Sequence, residues 1–346
     1  MTSELSLRPT ADCRYDVISL GEVMLRLDPG EDRVRTARSF AVREGGGEYN
    51  VGRALRRCFG RQVAHVTAIG DNDVGRLLED LMMQGGVSLD HVVWKPTDDV
   101  GRANRNPLNF TERGFGVRAS RGQYDRAHSA ASALRPGDVD WDLLFGDLGA
   151  GWFHTGGIFA GLSSTTLDLT RDAMASARRH GTIVSYDVNY RPSLWAAAGG
   201  AKAAEELTTE LLDGVDVLFG VDSTEFVKTV ERFESAHPRL SVVATPRRVV
   251  HSATSNDWTG LAWSRSEGFV EGRAFEKLAI LDRVGGGDAF ASGVIHGLLA
   301  AEPLQRALDL GVAHGALAMT TAGDTSSADL DEIRRVAGGG DASAVR

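Results

Sequence analysis

Short apolar runs alternate along this chain with segments in which apolar residues recur every three or four positions. The apolar runs predict buried strands, and the periodic segments predict helices that pack one face against a sheet. Predicted strands cover residues 16–27, 65–70, 152–159, 182–191, 215–219, 240–244 and 278–281. Predicted helices cover residues 51–59, 71–84, 164–180, 224–236, 290–298 and 303–322. This alternation predicts an α/β fold, in which a mostly parallel sheet lies between two helix layers.

The chain shows no internal repeat, low-complexity tract or linker that would divide it. We therefore predict one domain over residues 13–336. The polar segment 1–12 and the glycine-containing segment 337–346 are expected to be flexible tails. Residues 100–130 break the strand–helix rhythm with glycine, arginine and aromatic residues. They predict short antiparallel strands set outside the main sheet.

The most informative stretch is a glycine turn between a predicted strand and a predicted helix, within residues 278–300. Gly285, Gly286 and Gly287 let the backbone approach a ligand, and the first N–H groups of the next helix have no partner inside it. With the positive end of the helix dipole, these donors predict a site for an anion, typically a phosphate. Asp288 would repel a resting phosphate, but it could accept a proton from a hydroxyl that attacks a phosphoryl group. The alternative is a plain turn with Asp288 as the helix cap.

Two further polar clusters follow predicted strands. A second glycine turn leads into a helix that carries Glu48 and Asn50, which could bind hydroxyl groups, although a plain capped turn has the same pattern. The strand over residues 182–191 ends in polar side chains, among them Arg191. Ligands usually bind at the carboxyl ends of strands in such folds. His154, on the preceding strand, is expected to be a satisfied core residue rather than a ligand.

Composition narrows the class of protein. The 346 residues are 42% hydrophobic and 25% charged, as in globular proteins, with no apolar run long enough to cross a bilayer. The first residues lack the apolar core of a signal peptide, and Cys13 and Cys58 are too few for a disulfide framework or a cysteine-rich zinc site. We therefore expect a cytoplasmic protein. A net charge of −9 argues against general nucleic-acid or membrane binding.

Several common catalytic motifs are missing from the sequence. It contains neither the phosphate loop G-x-x-x-x-G-K-[ST] nor the dinucleotide fingerprint G-x-G-x-x-G. It also lacks H-E-x-x-H, C-x-x-C and G-x-S-x-G, and together these absences exclude the commonest nucleotide, zinc and serine-hydrolase sites. These absences leave open a phosphate-binding site of another kind.

Residues 282–290, DRVGGGDAF, resemble the second signature of the ribokinase-like (PfkB) family of carbohydrate kinases, usually written D-T-x-G-A-G-D. The R-V-G form is similar to that of the 2-keto-3-deoxygluconate kinase branch, as are YDR at 124–126 and SYDVNYRPSLW at 185–195. GGGEYN at 45–50 stands where the family's first glycine signature would. The similarity runs in consistent order over about residues 16–329.

The resemblance implies a three-layer αβα core, a β lid built partly from residues 30–45 and 100–125, and ATP with Mg²⁺ as the phosphoryl donor. It assigns Asp288 as the base, and the amides of residues 285–287 as an anion hole for the transferred phosphoryl group. No metal ligand is assigned. The cofactor-binding residues that it implies are Asp282, Gly285 and Gly287.

The resemblance also implies that the substrate is 2-keto-3-deoxygluconate, phosphorylated at its terminal hydroxyl. Arginine recognises a carboxylate through paired hydrogen bonds, whereas a neutral hexose would leave inward arginines without an anion. A lid of exposed strands often pairs with another subunit, so we also expect a homo-oligomer formed through the lid. The residues implied to bind the sugar acid are Gly46, Gly47, Asn50, Tyr124, Arg126 and Arg191.

Two segments depart from the family pattern. Asp222-x-x-Glu225 stands in place of an N-x-x-E motif, and TPRR at 245–248 replaces part of the nucleotide site, where proline removes a backbone donor. These changes keep open a sugar-acid-binding protein that has lost catalysis. A kinase of the same fold for a neutral sugar such as fructose is the other alternative. For Asp288, the helix N-terminus predicts a stabilised charged form and hence a weaker base, so that orientation of the hydroxyl would matter first.

Overall fold

A computed structural model describes residues 5–196 and 199–340. Within these residues the strands are β1 (Tyr15–Leu20), β2 (Met24–Asp28), β3 (Ala41–Gly45), β4 (Val63–Val66), β5 (Ala68–Asp71), β6 (Val93–Pro96), β7 (Leu108–Glu112), β8 (Arg121–Asp125), β9 (Ala150–Gly156), β10 (Ile183–Asp187), β11 (Val217–Phe219), β12 (Val242–Ser252), β13 (Ser255–Ser264), β14 (Gly268–Glu271) and β15 (Phe275–Ala279). The α-helices are α1 (Gly47–Arg57), α2 (Asp73–Gly85), α3 (Gly157–Ala160), α4 (Ser164–Arg179), α5 (Pro192–Trp195), α6 (Gly200–Leu211), α7 (Phe226–Ala236), α8 (Gly286–Leu299), α9 (Leu304–Ala318) and α10 (Leu330–Ala337).

Six parallel strands form the centre of the main sheet, in the order β4-β1-β9-β10-β11-β12. β13 runs antiparallel to β12, and β14 and β15 both pair with β13. The chain leaves β1 for β4 on one side and later returns to β9 on the other, so the strand order reverses beside β1. Ligands bind at such reversal points, outside the carboxyl ends of the strands. The predicted α/β fold with a mostly parallel sheet is confirmed.

A second sheet, which we call the lid, has the strand order β3-β2-β7-β8. Three of its strands lie in or at the edge of the ranges 30–45 and 100–125 that the sequence indicated. Strand β2, one of the two inner strands, lies in the apolar run over residues 16–27 that predicted a first strand or strand pair, and the sequence did not assign it to the lid. The chain instead leaves the main sheet at Gly21 and enters the lid at Met24.

Helix α8 is buried along almost its whole length, which fixes the glycine turn that precedes it. It packs closely on α9, since a Cβ on Gly293 would lie 2.7 Å from Gly311 Cα, and one on Gly297 would lie 2.5 Å from Ala307 Cα. Small residues at these crossings let the two helix backbones approach, so α8 has little freedom to shift. Although α8 is so apolar, neither it nor any other helix of the described residues is long and apolar enough to span a membrane.

The two chain ends are better packed than the expected tails. Leu5 is buried in the hydrophobic core, and Arg8 donates a hydrogen bond to a backbone carbonyl of the core. Residues 1–4 lie outside the described part of the chain. At the other end Ala337 is the last residue of α10 and is buried, while residues 341–346 lie outside the described part. The expected tails are therefore wrong for Leu5 and Ala337, because apolar contacts with the core hold both.

Candidate active site

A cleft of about 1110 Å³ lies between the lid and the carboxyl ends of the central strands. It is lined from the start of α1, from β8, from the loop after β10 and from the start of α8, so segments that are distant in sequence meet there. Gly286 and Asp282 do not line it. The cleft does bring together the other residues that the sequence predicted, namely Gly46, Gly47, Asn50, Tyr124, Arg126, Arg191, Gly285, Gly287 and Asp288.

The start of α8 lines the cleft and carries backbone donors that have no partner inside the helix. Gly285 caps the helix at a φ of 79°, and the first helical bond runs from Ala289 N to Gly285 O at 2.8 Å. The N–H groups of the three residues in between therefore lack an intrahelical partner. A Cβ on Gly285 would lie 1.9 Å from Asp324 O, whereas one on Gly287 would meet nothing within 4 Å. The turn thus requires glycine at 285, and the space at Gly287 is open to an anion.

Asp288 stands at this helix start with its carboxyl group held in place. Asn50 Nδ2 donates to Asp288 Oδ2 at 2.6 Å, and Gly46 N donates to Asn50 Oδ1 at 3.3 Å. Burial raises the pKa of Asp288 to about 7, and the Asn50 hydrogen bond and the charge of Arg191 only partly oppose it. Burial therefore opposes the stabilisation of the charged form that the helix N-terminus was expected to provide. A carboxyl group that titrates near neutral pH suits a general base.

Gly47 leaves room for a substrate beside Asp288. A Cβ on Gly47 would lie 3.2 Å from Asn189 Nδ2 and 3.8 Å from Asp288 Oδ1. A side chain there would occupy the space through which a hydroxyl reaches the carboxylate. Gly46 has a different constraint, since its Cβ would lie 2.0 Å from Glu22 O and would clash with the backbone after β1.

Arg191 is the free cation among the predicted sugar-acid residues. It is exposed to the cleft and makes no hydrogen bond or ion pair through its side chain with the described residues. Burial raises the pKa values of both Asp187 and Asp288, and the positive charge of Arg191 acts to lower them. Arg191 is therefore available to an anionic substrate next to the proposed base.

Arg126 already has an acidic partner that the sequence analysis missed. Its guanidinium lies 2.5 Å from Glu22, a buried carboxylate that also accepts a hydrogen bond from Ser129. Arg126 Nε is buried without a hydrogen-bond partner in the described structure, so part of the guanidinium remains unsatisfied. Tyr124 is half-exposed, and its ring centroid lies 5.9 Å from the Arg126 guanidinium carbon. Glu22 follows the carboxyl end of β1, and this position in the sequence could have indicated that it lies near the site.

Asp282 does not contact the cleft, contrary to its expected role in cofactor binding. One oxygen accepts from Val284 N at 3.2 Å, and the other lies 2.5 Å from the guanidinium of Arg26. Arg26, on lid strand β2, is fully buried and also pairs with Asp28 and Asp324. Asp282 therefore joins the lid to the glycine turn. A charged residue inside the apolar strand MLRLD was the sequence signal for this cluster.

Glu48 is a buried acid behind the cleft rather than part of its lining. Its carboxyl group packs against Gly21 and Gly156, at the carboxyl ends of two central strands. Burial raises its pKa to about 8, and the nearby carboxylates of Asp288 and Asp187 add to the shift. His154 is likewise buried, with Nδ1 at 2.8 Å from a serine hydroxyl, as expected for a core residue.

The acids of the altered motif engage neighbouring residues at the start of α7. Asp222 accepts hydrogen bonds from Thr224, and Glu225 pairs with Lys228 at 2.9 Å, both at the exposed start of α7. Neither lines the cleft. Over residues 5–196 and 199–340, no three or more acids, histidines or cysteines are grouped to hold a metal ion. These side chains do not fit a protein-built magnesium site, so we derive no step through the metal.

The site combines free backbone amides for an anion, a carboxyl group with a near-neutral pKa, and a free arginine. Together with the α/β fold, it defines an enzyme that transfers a phosphoryl group. The family model described as pfkB family carbohydrate kinase matches residues 14–103 and 152–331, and the chain belongs to this family. It is a carbohydrate kinase.

Two relatives match the chain over nearly their full length, and a solved structure matches its fold. The chain is 31% identical to 2-dehydro-3-deoxygalactonokinase of Haloferax volcanii, over 94% of this chain and 98% of that protein. It is 29% identical to 2-dehydro-3-deoxygluconokinase of Thermoproteus tenax, over 92% of each. The crystal structure of 2-dehydro-3-deoxygluconokinase from Thermotoga maritima matches with a TM-score of 0.84 at 30% identity, covering 93% of this chain and 99% of that one.

Proposed function

We propose that this kinase transfers the terminal phosphoryl group of ATP to the 6-hydroxyl of 2-dehydro-3-deoxy-D-gluconate, the sugar acid also called 2-keto-3-deoxygluconate. The observation that carries the proposal is the free guanidinium of Arg191 in the same cleft as Asp288 and the open amides of α8. Relatives of nearly full length are named for this sugar acid or for its galactonate counterpart, which supports the same class of substrate.

In the proposed reaction, the substrate hydroxyl oxygen attacks the γ-phosphorus while the bond to the β-phosphate oxygen breaks. Asp288 accepts the hydroxyl proton, and the Asn50 amide holds the carboxylate in the orientation for this transfer. The N–H groups at residues 286–288 stabilise the charge on the transferred group, as fixed donors do in other phosphoryl transfers. ADP and the sugar-acid 6-phosphate are the products.

Arg191 is the residue that we assign to the carboxylate of the substrate. It is unpaired in the described structure, whereas Arg126 shares its charge with Glu22. A guanidinium–carboxylate contact is charge-assisted and is worth about 1.5–3 kcal/mol. A neutral sugar offers no group to realise this energy, so the free arginine favours a sugar acid over fructose or ribose.

A coupled assay of ADP release tests the assignment with both C4 epimers of the sugar acid, fructose and ribose as acceptors. We expect kcat/KM for a sugar acid to exceed that for either neutral sugar roughly 10- to 100-fold. Arg191→Ala should raise KM for the sugar acid roughly 10- to 100-fold. Arg118→Ala, an arginine that does not line the cleft, is the matched control and should leave KM unchanged. Equal rates on fructose, or an Arg191→Ala variant with normal KM, would contradict the proposal.

A second candidate function is a sugar-acid-binding protein without catalysis. The observation in its favour is that Asp222 and Glu225 engage neighbours at α7 instead of the cleft. Calorimetry separates the two functions. Tight sugar-acid binding with no ADP formed in the presence of Mg²⁺ and ATP would support this candidate, and acceptor-dependent ADP formation would reject it.

A further inference from the structure

The half of the cleft next to the glycine turn is built differently from the sugar side. Residues 245–248 do not form a loop but continue β12, which pairs with β13 as far as Ser252. On its other edge β12 pairs with β11 only through Val242, Val243 and Ala244. The edge beyond Ala244 is therefore open to the cleft, but Pro246 has no N–H, and the Thr245 hydroxyl donates to Val221 O at 2.7 Å.

Two arginine side chains add donors on this half of the cleft. Arg248 and Arg283 both line it, the first from β12 and the second from the turn that leads into α8. Arg283 lies two residues before Gly285, and its guanidinium donates to Ala253 O at 3.0 Å at the tip of the β12–β13 hairpin. Arg283 is thereby held between the hairpin and the free amides of α8.

Arg248 has no acidic partner within the described residues. Its side chain makes no hydrogen bond or ion pair there. Burial lowers the pKa of Arg248, and the positive charge of Arg283, which lines the same cleft, lowers it further. Two like charges in a shared cleft repel each other unless an anion lies between them.

The neighbouring Arg247 shows that this arrangement is specific to one face of β12. Arg247 points to the opposite face, lines a separate surface pocket and pairs with Glu271. The strand therefore carries one arginine that pairs with an exposed carboxylate at the surface, while the next one is unpaired in the cleft.

We propose that Arg248 and Arg283 form the binding site for the polyphosphate chain of the nucleotide donor. The proposal rests on the proposed kinase function and names the residues that would hold the donor. A triphosphate carries several negative charges and can bridge two guanidinium groups, while the single carboxylate of the sugar acid is assigned to Arg191. The arginine pair would also supply positive charge on the side of the cleft where Asp222 and Glu225 provide no metal support.

Isothermal titration calorimetry with ATP and with inorganic tripolyphosphate tests this assignment without requiring turnover. Arg248→Ala and Arg283→Ala should each weaken both ligands roughly 10- to 100-fold, and Arg248→Lys should restore part of the loss. Arg247→Ala is the matched control and should bind both ligands within twofold of the wild type. Sugar-acid affinity should stay unchanged in all four variants, which excludes a general loss of structure.

The outcomes separate this inference from the proposed function. Normal tripolyphosphate affinity in Arg248→Ala, or an equal loss in Arg247→Ala, would overturn the inference even if the wild type is an active kinase. Arginine-dependent tripolyphosphate binding by a wild type that phosphorylates no sugar acid would support the inference and reject the proposed function. Failure of the wild type to bind either polyphosphate would overturn the inference as well.

Discussion

The hydrogen bond between Asn50 and Asp288 allows a quantitative test of how the base is tuned. Asn50 Nδ2 lies 2.6 Å from Asp288 Oδ2 and stabilises the charged carboxylate. This hydrogen bond opposes the effect of burial, which raises the pKa of Asp288 to about 7. A hydrogen bond to a charged group is worth about 1.5–3 kcal/mol, and one pKa unit corresponds to about 1.36 kcal/mol. Asn50→Ala should therefore raise the pKa of Asp288 by roughly 1–2 units.

The assay is the pH dependence of kcat/KM for the sugar acid, which reports the pKa of the free enzyme's base. Because Asp288 must be deprotonated to act as the base, kcat/KM of the wild type should decrease as the pH falls below about 7. In Asn50→Ala the limb should move to about pH 8–9, so that activity at pH 7 drops roughly 5- to 50-fold and recovers at higher pH. Asn189 lines the same cleft but does not hydrogen-bond to Asp288. Asn189→Ala is therefore the control and should leave the acid limb of the pH profile at its wild-type position. An unshifted limb in Asn50→Ala would refute the reasoning.

Three other substitutions test separate parts of the structure. Gly47→Ala places a methyl group 3.8 Å from Asp288 Oδ1, so steady-state kinetics should show at least a 10-fold fall in kcat/KM with little change in Tm; normal kinetics would show that the space is not used. Arg26→Met leaves the three buried carboxylates that pair with Arg26 without their cation, so the free energy of unfolding in urea should fall by about 3–5 kcal/mol. An unchanged free energy of unfolding would contradict a buried charge cluster. Glu48→Gln removes a carboxyl group whose folded pKa, about 8, exceeds its usual 4.5, so the stability from the neutral form is lost as pH rises through about 8. Urea unfolding should find the variant and the wild type alike near pH 4 and the variant more stable at pH 8, and a constant difference would contradict the raised pKa.

Local patterns in the sequence were enough to predict the glycine turn and the strand–helix alternation. The turn at Gly285 depends on neighbouring residues, since its positive φ and the free amides follow from the start of one helix. Contacts between distant residues were not predictable in the same way. Asn50 meets Asp288 across 238 positions of the chain, and no local pattern of either residue determines that they touch.

The buried charges were the least predictable part of the site. Arg26 pairs with Asp282 across 256 positions, so a residue expected to touch the cofactor is instead held by the lid. Glu22 similarly forms an ion pair with the guanidinium of Arg126, which was expected to bind the substrate. The pKa of Asp288 also depended on the fold, because the helix dipole is a local property while burial is not. These features require the packed structure.

The central claim is that Asp288 takes the hydroxyl proton beside the open amides of α8. The most direct test is phosphorylation of 2-dehydro-3-deoxygluconate by Asp288→Asn, with sugar-acid affinity measured by calorimetry on the same protein. Positioned proton transfer typically contributes about 10²–10⁴-fold to a rate. We predict a fall in kcat of at least 100-fold with sugar-acid affinity within a few-fold of the wild type. A variant that keeps its kcat while binding the substrate normally would contradict the account.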